Sequence, residues 1–128
     1  MNDSDAQDES PVVDVVIVNW NTSEKAIAAA EGYANSLGVQ ARVVIVDNDS
    51  VPPQKALLRE SGPGTFDLIE PEVNLGFGAA ANLGLARGSG KYVVVSNADV
   101  IPRPEALRAL VAAARTVAGA GMIGPVFD

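Results

Sequence analysis

Four short polar clusters contain the residues able to do chemistry, and each follows or borders an apolar run. Ser96-Asn97-Ala98-Asp99 sets an amide oxygen and a carboxylate two positions apart. Alternate residues of an extended exit project to one side, so Asn97 and Asp99 could meet one ligand. Such oxygens suit a hard divalent cation that keeps water and substrate phosphates as its other ligands. They equally suit a turn ahead of Pro102 and Pro104. Val46-Asp47-Asn48-Asp49-Ser50 places a carboxylate after a second apolar run. Asp47 there could accept from ribose hydroxyls or a base N–H, while Asp49 reads as an ordinary turn residue. Asn19-Trp20-Asn21-Thr22 offers two amides and a hydroxyl, which turn and cap chemistry explains as readily as a ligand. Trp20 suits packing as well as stacking.

The fourth cluster is Asn74-Leu75-Gly76-Phe77-Gly78-Ala79-Ala80-Ala81-Asn82. Glycines let backbone approach a ligand closely, and a helix N-terminus presents unpaired N–H groups to a phosphate. Gly76 to Ala81 also fits the G-x-G-x-x-A pattern of dinucleotide sites. That pattern should follow a first strand directly. Here it follows a third, across Pro71-Glu72-Val73-Asn74, which argues against a dinucleotide-dependent oxidoreductase.

The elements that position these clusters alternate. Val12–Val18, Ala41–Val46, Thr65–Glu70, Lys91–Ser96 and Met122–Phe127 read as strands, the first two as near-continuous β-branched runs. Helices are expected at Ala26–Leu37 after a Thr22 or Ser23 cap, Gln54–Glu60, Gly78–Arg87 and Pro104–Val117. Strand–helix alternation predicts an α/β fold: a mostly parallel sheet in three layers, α/β/α, with right-handed crossovers. Ligands of such sheets bind beyond the carboxyl ends of the strands, where all four clusters fall. Residues 1–11 read as a disordered acidic tail and 12–128 as one domain.

Composition excludes several chemistries. The chain of 128 residues has no Cys and no His. Disulfides, Cys/His zinc sites and Ser-His-Asp or Cys-His catalysis are therefore out. Any metal must sit among oxygens, which favours Mg²⁺ or Mn²⁺. The net charge is −7, with Asp3, Asp5, Asp8 and Glu9 in the tail. An acidic chain with no basic stripe repels a nucleic-acid backbone. The start is the opposite of a signal peptide and no apolar run spans a bilayer, so a cytoplasmic protein is the expectation.

In order and wording, the four clusters with their strands resemble the donor-binding half of a family 2 glycosyltransferase of GT-A fold, nearest its rhamnosyltransferase-like branch. The resemblance covers about residues 12–128. It implies a truncated GT-A, nucleotide-diphospho-sugar transferase fold. Asn19, Asn21 and Asp47 would contact base and ribose. Asn74, Gly76 and Asn82 would line the donor pocket, and Asn48 and Phe77 stand in the same matched motifs. Asn97-Ala98-Asp99 replaces the family's D-x-D, with Asp99 on Mg²⁺ or Mn²⁺ bridging the diphosphate of a UDP- or dTDP-sugar. The reaction implied is inverting transfer to an acceptor hydroxyl of a glycan or lipid-linked acceptor. Its base is expected beyond Asp128, which leaves no catalytic base assigned here. A non-catalytic nucleotide-sugar-binding module is the alternative. The family works at the cytoplasmic side of membranes, which implies a peripheral place at the inner membrane face. A sheet cut at its fifth strand exposes an edge, so self-association is expected.

Overall fold

Eight-residue runs rich in Val and Ile form the two central strands of the computed structural model, which describes residues 10–117, 119 and 121–124. β1 is Val12–Asn19 and β2 is Gln40–Asp47. They pair in parallel, from Val12 opposite Gln40 to Asn19 opposite Asp47. β3 (Asp67–Ile69) extends the sheet beside β2, and β4 (Tyr92–Asn97) pairs with the other side of β1. The order is β3-β2-β1-β4, all parallel. The chain steps outward from β1 to β3, then returns across β1 to lay down β4. The direction of addition therefore reverses at β1 and β4, the place where sheets of this kind bind ligands beyond the carboxyl ends of their strands.

Strand alternation sends side chains to two helical layers. One face carries Val13, Val15, Ile17, Val43 and Ile45. It is covered by α1 (Ser23–Ala34), α2 (Pro52–Ser61) and α4 (Ala106–Thr116), through Ala26, Ala29, Ala30, Tyr33, Leu58, Leu107 and Val111. The other face carries Val16, Val44 and Val46 against Ala80 of α3 (Phe77–Leu85). α3 rides very close to β1: a Cβ on Gly84 would lie 2.3 Å from Val16 Cγ1. It does not cover β4, whose Val93 and Val95 stay 48% and 43% exposed.

Several element ends differ from the sequence expectation, for tertiary reasons. Thr22 occupies the N-cap position of α1 without capping it. Its hydroxyl donates to Asn19 Oδ1 (2.8 Å), and the Ser23 N–H at the helix start donates to Gln54 Oε1 (2.8 Å). α4 begins at Ala106, not at Pro104, whose carbonyl accepts the Leu37 N–H at 2.8 Å. β3 is three residues long rather than six. Residues 122–124 of the expected fifth strand form no strand, and 125–127 lie outside the described residues. The expected tail lies outside them too, apart from Ser10 and Pro11.

Candidate functional site

The exits of β1 and β2 fold into one braced unit because their last residues are paired. Asn19 and Asp47 are both fully buried. Asn19 Nδ2 donates to Asp47 Oδ1 (3.2 Å) and to Ser23 Oγ (3.1 Å). Asp47 also accepts from the Ser50 hydroxyl and backbone N–H. The Asn21 N–H donates to Ser50 Oγ (2.8 Å), and Asn21 Oδ1 accepts from the Val51 N–H (2.9 Å). The buried carboxylate is thereby satisfied inside the protein, as a buried charge must be. Asn21 (φ 55°) and Asp49 (φ 65°) take left-handed backbone, which Asn and Asp tolerate better than other side chains. Asp49 accepts from Lys55 Nζ at 2.7 Å, and that bond raises the Lys55 ammonium above its ordinary pKa.

A single buried amide joins the third cluster to this unit. Asn48 Oδ1 accepts from the Leu75 N–H (2.7 Å), and its Nδ2 donates to the Gly76 carbonyl (3.0 Å). The Asn48 N–H itself donates to the Asn19 carbonyl (2.7 Å). Asn74 Oδ1 accepts from the Gly76 N–H at 2.9 Å, closing a tight turn. Gly76 has φ 79° and precedes α3, a conformation that needs glycine. No side chain caps α3, and an added Cβ at Gly76 or Gly78 would meet nothing within 4 Å. The first turn of α3 therefore faces open space with free N–H groups. Phe77 and Trp20 stand 51% and 57% exposed at this end, and Asn82 is exposed one turn further along.

The fourth cluster leaves β4 beside β1, with Asn97 opposite Val18. Asn97 and Asp99 are exposed, while Ala98 between them is buried in the first core. Among the described residues no three His, Cys, Asp or Glu side chains converge on a metal-sized space. Asp99 with Asn97 thus fits a divalent cation only where a ligand's oxygens complete the shell, the arrangement Mg²⁺ commonly takes on phosphates.

All four clusters gather at the carboxyl end of the sheet. They divide into two kinds. Asn19, Asp47 and Asn48 are buried and committed to protein partners, whereas Asn74, Gly76, Phe77, Asn82, Asn97 and Asp99 are exposed and Asn21 is half-buried. Ser50, named in its cluster without a role of its own, is integral to the brace, and Tyr33, which sequence reasoning did not single out, holds the β4 exit. A lone Tyr on an Ala-rich helix was the available signal, since a buried phenol needs a partner. The Gly-rich loop follows β3 and not β1, so the dinucleotide pattern lacks its context. A cavity of about 390 Å³ lined by Asp14, Arg42, Thr65 and Arg87 lies toward the opposite ends of the strands, away from the clusters.

Residues 14–126 match the family model described as glycosyl transferase family 2. The succinoglycan biosynthesis protein ExoO of Rhizobium meliloti is 31% identical over 106 residues, which are 83% of this chain and 30% of that protein. Among solved structures, the mannosyltransferase PcManGT from Pyrobaculum calidifontis, in complex with GDP-Man and Mn²⁺, superposes with a TM-score of 0.69 at 24% identity. That match covers 79% of this chain and 31% of the other. S. aureus TarS in complex with UDP-GlcNAc gives a TM-score of 0.68 at 18% identity, covering 88% and 37%. The chain spans about a third of the length of these relatives. The sheet and helices are those of a GT-A fold, and the chain belongs to glycosyl transferase family 2.

Proposed function

We propose that the chain is the donor-binding part of a glycosyltransferase that holds a nucleotide-diphosphate sugar with Mg²⁺ or Mn²⁺ at the carboxyl end of its sheet. The observation that carries this reading is the Asn48 clamp, which ties the glycine loop to the exits of β1 and β2 beside the switch point. The bound GDP-Man, Mn²⁺ and UDP-GlcNAc of the structural relatives support it. A UDP- or dTDP-sugar is the expected donor, and the motif wording favours the rhamnosyltransferase-like branch.

Roles follow from burial. Asn19, Asp47 and Asn48 shape the base and ribose end from beneath, and Asn21 borders it. Phe77, Asn74, Gly76 and Asn82 line the donor, with the free N–H groups of α3 toward its phosphates. Asn97 and Asp99 would hold the cation. When bound, it neutralises charge on the departing diphosphate. Asp47 is sealed by its hydrogen bonds and is not free to act as base for inverting attack by an acceptor hydroxyl. The acceptor would be a glycan or a lipid-linked acceptor at the cytoplasmic membrane face. Among the described residues no helix is long and apolar enough to cross a membrane.

The sealed Asp47 carboxylate favours a second reading: a nucleotide-sugar-binding module without turnover. Calorimetric titration of Asp99→Ala with UDP and dTDP, in Mn²⁺ and in EDTA, tests the shared claim. The loss of affinity should be much larger in Mn²⁺, because the carboxylate acts through the metal. Equal loss in both buffers removes Asp99 from the metal. Binding without hydrolysis or transfer of the sugar supports the module.

A further inference from the structure

The segment from Ser96 to Pro104 carries Asn97 and Asp99, and one helix with its C-terminal extension holds almost the whole of it. The Tyr33 hydroxyl of α1 donates to Ser96 Oγ at 2.9 Å. Ser96 Oγ donates in turn to the Asn97 carbonyl at 3.0 Å. Tyr33 and Ser96 are both buried, 63 residues apart in the chain. One residue earlier, Gly32 lies against Pro102, where an added Cβ would come within 3.0 Å of Cδ and Cγ. Just past the helix, the Leu37 N–H donates to the Pro104 carbonyl at 2.8 Å. Between these points Ala98 packs into the core that α1 covers. The exit is thus fastened at its start, middle and end on its inner side, while Asn97, Asp99 and Ile101 remain exposed.

Tyr33 is the one large side chain among the buried residues of α1. Its other buried helix residues are Ala26, Ala29, Ala30 and Ser23, all small. The hydroxyl reaches a buried side chain whose own bond goes to the backbone of Asn97. Burial holds the Tyr33 pKa above its ordinary value, partly offset by the Ser96 bond, so the group stays a donor through neutral pH.

We propose that Tyr33, with Gly32 as its neighbouring seat, is a positioning residue that fixes the backbone of Asn97-Ala98-Asp99 through Ser96, so that the two oxygen donors are held ready for a diphosphate-bound cation. This rests on the reading of Asp99 as a cation ligand. The residue touches neither cation nor nucleotide and acts through the relay alone.

The test uses the full chain, with Mn²⁺ and UDP as probes. Electron paramagnetic resonance counts bound Mn²⁺ in the presence of UDP, and calorimetry gives UDP affinity in Mn²⁺ and in EDTA. Tyr33→Phe keeps the ring and removes only the relay's donor. It should weaken Mn²⁺-dependent binding roughly three- to tenfold, the worth of one hydrogen bond, and leave binding in EDTA unchanged. Ser96→Ala should do the same, and the double variant should be no worse than the poorer single one. If Tyr33→Phe fails to fold, Ser96→Ala tests the same relay. Equal losses in Mn²⁺ and EDTA, or additive losses in the double variant, overturn the proposal. Asp99→Ala separates the two levels. If it selectively lowers Mn²⁺-dependent binding while the relay variants do not, only the positioning role fails. If it shows no selectivity, the cation site fails and the positioning role with it.

Discussion

Asn48 illustrates what single residues do here. Its amide is bonded at both ends, to the Leu75 N–H and the Gly76 carbonyl, and it is 4% exposed. Asn48→Ala removes both bonds, and a net loss of about 1–3 kcal/mol is expected for two part-buried partners left to water. Hydrogen exchange should show the Leu75 amide, now without its acceptor, exchanging faster, while the β1 and β2 amides keep their protection. Unchanged protection at Leu75 would mean that the loop holds itself in place. The sequence identified this residue as part of a functional cluster but could not say in which sense. Whether an Asn faces ligand or protein depends on what lies across from it. Asn19 and Asp47 meet only because β1 and β2 pair in one register. Exposure of Asp99 and burial of Asp47 likewise follow from the turns after each strand. Asp14 is the clearer case, because a charge inside a β-branched run demands a partner. It finds Arg42 at 2.9 Å and the Gly90 N–H at 2.6 Å.

At the scale of elements, the contact between α3 and β1 sets where the glycine loop sits. Gly84→Ala gains helix propensity of about 1 kcal/mol. Against that, its Cβ would stand 2.3 Å from Val16 Cγ1, in the middle of a packed interface. Overpacking of this kind costs roughly 1–3 kcal/mol, so destabilisation should win. Gly78→Ala, on the same helix, meets nothing within 4 Å and should be neutral or slightly stabilising. Urea unfolding of the two variants gives opposite or clearly unequal shifts if this account of the interface is right; equal shifts would show that α3 moves freely over the sheet. Strand–helix alternation and the parallel sheet were legible from apolar runs and punctuation, because those signals are local. Ends were less so. The starts of α1 and α4 are fixed by Gln54 Oε1 and by the Leu37–Pro104 bond, partners that no local pattern contains.

For the whole molecule, the open question of surface falls on β4. This strand ends the four-stranded sheet, so one edge of its backbone has no strand partner among the described residues. On the face that α3 leaves uncovered, Val93 and Val95 are exposed together. Unpaired edges and contiguous apolar side chains are what drive sheets to associate. The net charge of −7 opposes this by self-repulsion, which salt screens. The chain alone should therefore gain mass with concentration in light scattering behind gel filtration. Val93→Lys with Val95→Lys places charges on the exposed face without touching the half-buried alternate positions Tyr92 and Val94, which pack on the first core. That variant should run as a monomer with its unfolding midpoint little changed. A wild-type chain that stays monomeric at every concentration would mean that the described strands and helices satisfy themselves, and that the valines of β4 are tolerated exposure rather than an unpaired surface.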